Sequence, residues 1–137
     1  LKIKVYSFTL DCTDPRALAN FYAKLLKWEI AFSDENWACV GAPGTKQGAY
    51  PGILFQRNPE YKPPVWPEES DAQQQMAHID LAVNDLKKAV EYAVQCGATT
   101  AKDQFSSDWT VMLDPAGHPF CLCNMKSVIE SPDFALK

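Results

Sequence analysis

HIDLAVNDLKKAVEYAVQCGAT, residues His78 to Thr99, carries a strand, a helix start, a helix and a helix stop in one run. Ile79, Leu81 and Val83 alternate with His78, Asp80 and Ala82, the period of two that gives a strand one apolar face. Asn84 and Asp85 then offer a capping side chain for the first free backbone N–H groups of a helix. Leu86, Ala89, Val90, Ala93 and Val94 recur at helical spacing, and Gly97 suits the left-handed residue that closes a helix.

Working outward, the same succession stands earlier in the chain. SFTLDCTD (Ser7–Asp14) lies over HIDLAVND (His78–Asp85), with Leu10 on Leu81 and Asp14 on Asp85. Asp14 followed by Pro15 reads as an N-cap with proline in the first turn, and Leu18, Phe21, Tyr22 and Leu25 form the apolar stripe. WEIAF, NWACVG and YPGILFQ follow as short strand candidates in the first half, and ATTA, WTVML and PFCLC in the second. Asp114-Pro115-Ala116-Gly117 has turn chemistry and makes the last two a hairpin. Each half therefore reads β-α-β-β-β, and paired modules of this kind bury their sheets together. The expected organisation is one domain over residues 1–137, with module one at about 3–56 and module two at about 76–124. Between them residues 57–75, with prolines 59, 63, 64 and 67, form an irregular linker, and residues 125–137 a tail.

Composition sets the outer limits. A 137-residue chain with 47% hydrophobic and 22% charged residues has the makeup of an ordinary globular domain. A net charge of −4 without a basic run argues against a nucleic-acid partner, and no apolar stretch approaches the roughly 20 residues that span a bilayer. The five cysteines, scattered among apolar neighbours with no CxxC pair, fit reduced thiols of a cytoplasmic protein better than a disulfide framework or zinc knuckle. No signal peptide is visible.

With the repeat, three stretches resemble the vicinal oxygen chelate superfamily of glyoxalases, bleomycin-resistance proteins and extradiol dioxygenases: DPRALANFYAKLLKWEI, HIDLAVNDLKKAVEYAVQCGAT and DPAGHPFCLC. More narrowly the chain looks like a glyoxalase-like domain protein. The resemblance implies an α+β fold in which two βαβββ modules form a cupped mixed sheet with helices on the convex face, and a homodimer. It also implies, for metal-dependent members, one His, Gln or Glu ligand on the first and last strand of each module.

Strand parity places the candidates. If Ile79, Leu81 and Val83 pack under a helix, His78 and Asp80 face the cup; if Phe8 and Leu10 do, Ser7, Thr9 and Asp11 face it. Phe120 and Leu122 leave Cys121 on the cup side beside Cys123, and Ile53 and Phe55 leave Leu54 and Gln56 there. Trp37, Tyr50 and Trp109 are candidate aromatic walls for a flat ligand, with core or dimer packing the competing reading. Carrying the implied ligand pattern over gives Ser7, Gln56, His78 and Cys121. A serine hydroxyl is a poor ligand for a divalent ion, and a thiol in place of a carboxylate removes charge and a candidate base. The implied metal set is therefore incomplete, resting at most on His78, Gln56 and Cys121. Cys121 itself reads as packing, as a thiophilic-metal ligand, or as a nucleophile activated by His78.

Two functions follow from the resemblance. One is a glyoxalase/bleomycin-resistance-like protein that binds a small molecule in the concave sheet with no cofactor. The other is a metal-dependent lyase or isomerase of the glyoxalase type with altered ligands and a divalent metal, glyoxalase I itself not being expected.

Overall fold

The computed structural model describes residues 1–44 and 51–130. The element order is β1 (Ser7–Cys12), α1 (Pro15–Leu26), β2 (Glu29–Ser33), β3 (Trp37–Gly41), β4 (Gly52–Arg57), β5 (Ile79–Val83), α2 (Leu86–Cys96), β6 (Thr99–Thr100), β7 (Trp109–Leu113), β8 (Pro119–Asn124) and α3 (Lys126–Ile129). The β-α-β-β-β pattern thus occurs twice. Two four-stranded sheets result, ordered β1-β4-β3-β2 and β5-β8-β7-β6, each with one parallel pair (β1/β4 and β5/β8) and antiparallel neighbours. By its contacts the chain divides into two compact units, Leu1–Lys62 and Pro63–Lys137.

In the first unit, α1 starts where the sequence says it should. Asp14 accepts a hydrogen bond from the Ala17 N–H at 3.0 Å and Pro15 occupies the first turn. The helix buries Leu18, Ala19, Phe21 and Tyr22, and the Tyr22 ring stacks on Phe55 with centroids 5.5 Å apart. Lys27 ends it in the left-handed conformation (φ 54°). Because α1 packs on β2, β3 and β4, the edge strand β1 lies largely outside its cover. Phe8, expected to pack beneath the helix, shares a face with its partner Ile53 but is 63% exposed; Cys12, four residues on, is 1% exposed.

The second unit repeats this plan. Asp85 caps α2 by accepting from Lys88 N–H at 3.1 Å, and Gly97 closes it at φ 117°. Helix α2 packs on β6, β7 and β8, with Met112, Phe120 and Leu122 buried in the sheet. Strand β6 is short because a side chain replaces half of the next ladder pair: Ala101 N–H still donates to Val111 O at 3.0 Å, but Gln104 Oε1 accepts from Val111 N–H at 2.8 Å and its Nε2 donates to Val111 and Ala101 carbonyls at 2.9 and 2.8 Å.

Residues 63–75 of the proline-rich segment fold with the second unit. Val65 N–H donates to Gln73 O at 2.8 Å, and Trp66 meets Phe105 edge-on with ring centroids 6.1 Å apart, which anchors the segment. The repeat extends to single hydrogen bonds. Arg57 N–H donates to Asn36 O at 2.8 Å, and Asn124 N–H donates to Asp108 O at 2.8 Å; Asn58 N–H donates to Cys12 O at 2.9 Å, and Met125 N–H to Val83 O at 2.9 Å.

Candidate functional site

Pairing partners fix which residues share a face. In the second sheet Asp80 is opposite Cys121, Ala82 opposite Cys123, and Trp109 opposite Cys123. Parity puts His78 and Asp80 on the same face as Cys121 and Trp109, away from the buried Phe120 and Leu122. Three of these side chains converge. His78 Nε2 lies 3.2 Å from Asp80 Oδ1, and one ligand atom from each of His78, Asp80 and Cys121 falls within 4.8 Å of the others. The His78 and Asp80 side chains are 42% and 61% exposed while Cys121 is half-buried, so the cluster opens to solvent on one side.

Electrostatics decide the state of the thiol. Burial, and next a hydrogen bond from the thiol to Asp80, push Cys121 up to about 12; the charges of Asp80 and Cys123 act in the same direction. Cys123 is pushed up as well, by burial and then by Asp80. A raised value favours the neutral thiol and speaks against a nucleophile activated by His78. None of the five cysteines is in a disulfide.

The first sheet places its candidates differently. Thr9 is opposite Leu54, and Asp11 opposite Gln56, while Ser7 is opposite Gly52. Ser7 and Gln56 therefore sit at opposite ends of the β1/β4 pair and are not brought together. Thr9 and Asp11 are exposed, and Asp11 accepts a hydrogen bond from Asn58 Nδ2 at 3.1 Å. Leu54 and Gln56 are half-buried beside buried Ile53 and Phe55, the alternation expected from the sequence. Trp37 is opposite Gln56 and 38% exposed; Trp109 is opposite Cys123 and 41% exposed, so the two indoles are counterparts in the repeat. Tyr50 lies outside the described residues.

Aligning the two sheets by register tests the implied four-strand metal set. The position across from Asp80 is Cys121, and the position across from Thr9, its counterpart, is Leu54. Gln56 corresponds to Cys123, next to the tryptophan in each case. An aliphatic side chain has no donor atom for a metal and a serine hydroxyl is a weak one, so the first sheet lacks its half of the implied set. The residues present do not fit a centre with one ligand on each of four strands.

Sequence reasoning treated Asp80 as cup lining and missed that it bridges His78 and Cys121. The signal was available: β5 and β8 are parallel neighbours in a βαβββ module, and in-register pairing places their same-face residues side by side. The hairpin itself is legible from DPAG, but not the part Asp114 plays in holding it. Asp114, whose side chain is 0% exposed, accepts from the Ala116 and His118 N–H groups at 2.9 and 3.0 Å and lies 2.8 Å from His118 Nδ1. Gly117 is required there, since its φ is +88° and a Cβ would sit 2.9 Å from Pro63. His118 is thus part of a turn lock rather than of the cluster.

Comparison with known proteins agrees with this architecture. The family model described as a glyoxalase-like domain matches residues 7–123. No curated protein matches the chain in sequence. Among solved structures, the trypanothione-dependent glyoxalase I of Leishmania major superposes with a TM-score of 0.61 at 18% identity, covering 94% of this chain and 91% of its own. A bleomycin resistance determinant encoded on transposon Tn5 gives 0.53 at 16% identity, with 88% and 97% covered. An antibiotic-binding protein from a Streptomyces strain gives 0.56 at 12%, with 89% and 95% covered. These structural likenesses bear on the fold, and the family model covers both modules. The chain belongs to the glyoxalase-like domain family of the vicinal oxygen chelate superfamily.

Proposed function

We propose that this chain is a small-molecule binding protein of the glyoxalase/bleomycin-resistance kind, working as a homodimer without a four-ligand metal centre. The observation that carries the reading is Leu54 in the register position that Cys121 occupies in the other sheet, with Ser7 in the place of His78. A sheet face with an aliphatic side chain there is suited to apolar contact rather than to ion coordination. In the first unit Trp37 is partly exposed on the face turned away from the helix, and Gln56, Thr9 and Asp11 are polar groups of the same sheet; in the second unit Trp109 is partly exposed on the corresponding face, so each unit offers an indole for apolar contact. Support from relatives is of the same kind, since the fold is used by a bleomycin resistance determinant and by an antibiotic-binding protein.

A thermal-shift screen in the presence of a strong chelator tests this reading. Aromatic and amphipathic small molecules should raise the melting temperature, and Trp37→Ala and Trp109→Ala should reduce that gain. Stabilisation or turnover that vanishes with chelator and returns with a divalent ion would favour the metal-dependent lyase or isomerase instead, for which the His78–Asp80–Cys121 cluster is the relevant observation.

A further inference from the structure

We propose that the molecule bound on the sheet face of the first unit is an organic cation with a flat apolar body, its charged end on Asp11 and its body on Trp37. The inference rests on the binding role proposed above and names the chemical class of the ligand.

Register brings the key side chains into one row. Asp11 is opposite Gln56, and Gln56 is opposite Trp37, so a carboxylate, an amide and an indole lie side by side across β1, β4 and β3. Neighbouring strands stand about 4.8 Å apart, which puts Asp11 and Trp37 roughly 10 Å from each other with Gln56 between. That span suits a ring system with an ammonium or guanidinium group at one end. Asp11 is exposed, and its Oδ2 accepts from Asn58 Nδ2 at 3.1 Å, which orients the carboxylate. Trp37 is fixed at the start of β3, where Asp34 Oδ1 accepts from its N–H at 2.9 Å, and it keeps 38% of its surface exposed for contact with a ligand. Sites carried on paired strands need little backbone rearrangement on binding.

Charge sets the sign of the ligand. Register puts Glu29, opposite Gly41, on the same face as Trp37 and Asp11, whereas Arg57, opposite Cys12, falls on the helix side. Among the described strand residues, this face therefore carries carboxylates and no lysine or arginine. The corresponding face of the second sheet repeats the sign with Asp80, again without a lysine or arginine on its strands. A cation is attracted both by a carboxylate and by the π face of an indole. An anion is repelled by the first and gains nothing from the second, so the row discriminates by charge as well as by shape.

Three probes that share one ring system test it: 1-naphthylmethylammonium, 1-naphthylmethanol and 1-naphthoate, titrated calorimetrically into the full chain with chelator present. The ammonium should bind roughly tenfold tighter than the alcohol, and the naphthoate weakest of the three. Asp11→Asn should bring the ammonium down to the affinity of the alcohol and leave the alcohol unchanged. Asp11 is exposed and an amide can still accept from Asn58, so this variant keeps the fold. Trp37→Ala should weaken both. Equal affinity for ammonium and alcohol, tightest binding of the naphthoate, or an ammonium affinity untouched by Asp11→Asn overturns the cation assignment and leaves the binding role standing. No binding of any probe overturns the assignment too, and a thermal-shift screen without a hit would add the failure of the binding role.

Discussion

Asp114 and Cys121 show how far one residue's surroundings reset its chemistry. Asp114 is a fully buried carboxylate that gathers two backbone N–H groups and the His118 ring in the β7–β8 turn. Removing a buried acceptor strands all three donors, so Asp114→Ala should cost about 3 kcal/mol, and Asp114→Asn clearly less because an amide oxygen can still accept. Urea unfolding of the two variants measures this. Cys121 is held as a thiol by burial and by Asp80, and its alkylation should lag an exposed cysteine. Its rate should still be climbing with pH well beyond 9.0, the ordinary thiol value, and Asp80→Asn should lower the thiol's pKa and speed the reaction. Tandem mass spectrometry of the peptide that carries both Cys121 and Cys123 reads this residue apart from the other cysteines. The sign for stability follows: because the folded-state value is raised, stability falls as pH climbs above the unfolded thiol value of 9.0 toward about 12. Neither environment was legible from residue type alone. DPAG marked a turn and CLC marked a strand, but burial of Asp114 and the approach of Asp80 to Cys121 are tertiary facts.

At the scale of elements, helix starts and stops were the most legible features, since capping is local chemistry. Asp14→Ala removes the acceptor for Ala17 N–H and should cost about 1 kcal/mol in thermal or chemical unfolding. Asp85, whose pKa is lowered by the backbone N–H and then the side chain of Lys88, contributes stability above the usual carboxylate value of 3.8. That contribution is lost as the solution is acidified through its lower folded value, and Asp85→Ala should flatten this part of the acid-unfolding curve. Strand edges were less legible. ATTA reads as a four-residue strand, but the strand covers only Thr99–Thr100: Ala101 N–H still donates to Val111 O at 3.0 Å, while Gln104 Oε1 takes the Val111 N–H that would return the bond. Gln104→Ala leaves the N–H of buried Val111 without that acceptor and should destabilise by about 1–2 kcal/mol, with faster hydrogen exchange at Val111. A glutamine that replaces a strand has no periodicity to betray it.

For the whole molecule, the internal repeat decided the fold, and its imperfect spacing obscured the site. The β3–β4 connector spans residues 42–51, whereas the β7–β8 connector spans 114–118, so no single offset aligns both halves. The offset that lays Ser7 on His78 fails by β4, where only strand pairing shows that Leu54, not Gln56, corresponds to Cys121. That correspondence is the observation behind the proposed binding role. The most direct test is calorimetric titration of the chelator-treated protein with the best stabilising aromatic ligand from the thermal-shift screen. The account predicts saturable binding with the same affinity whether or not magnesium or manganese is restored. Binding that appears only once one of those ions is added back would contradict it.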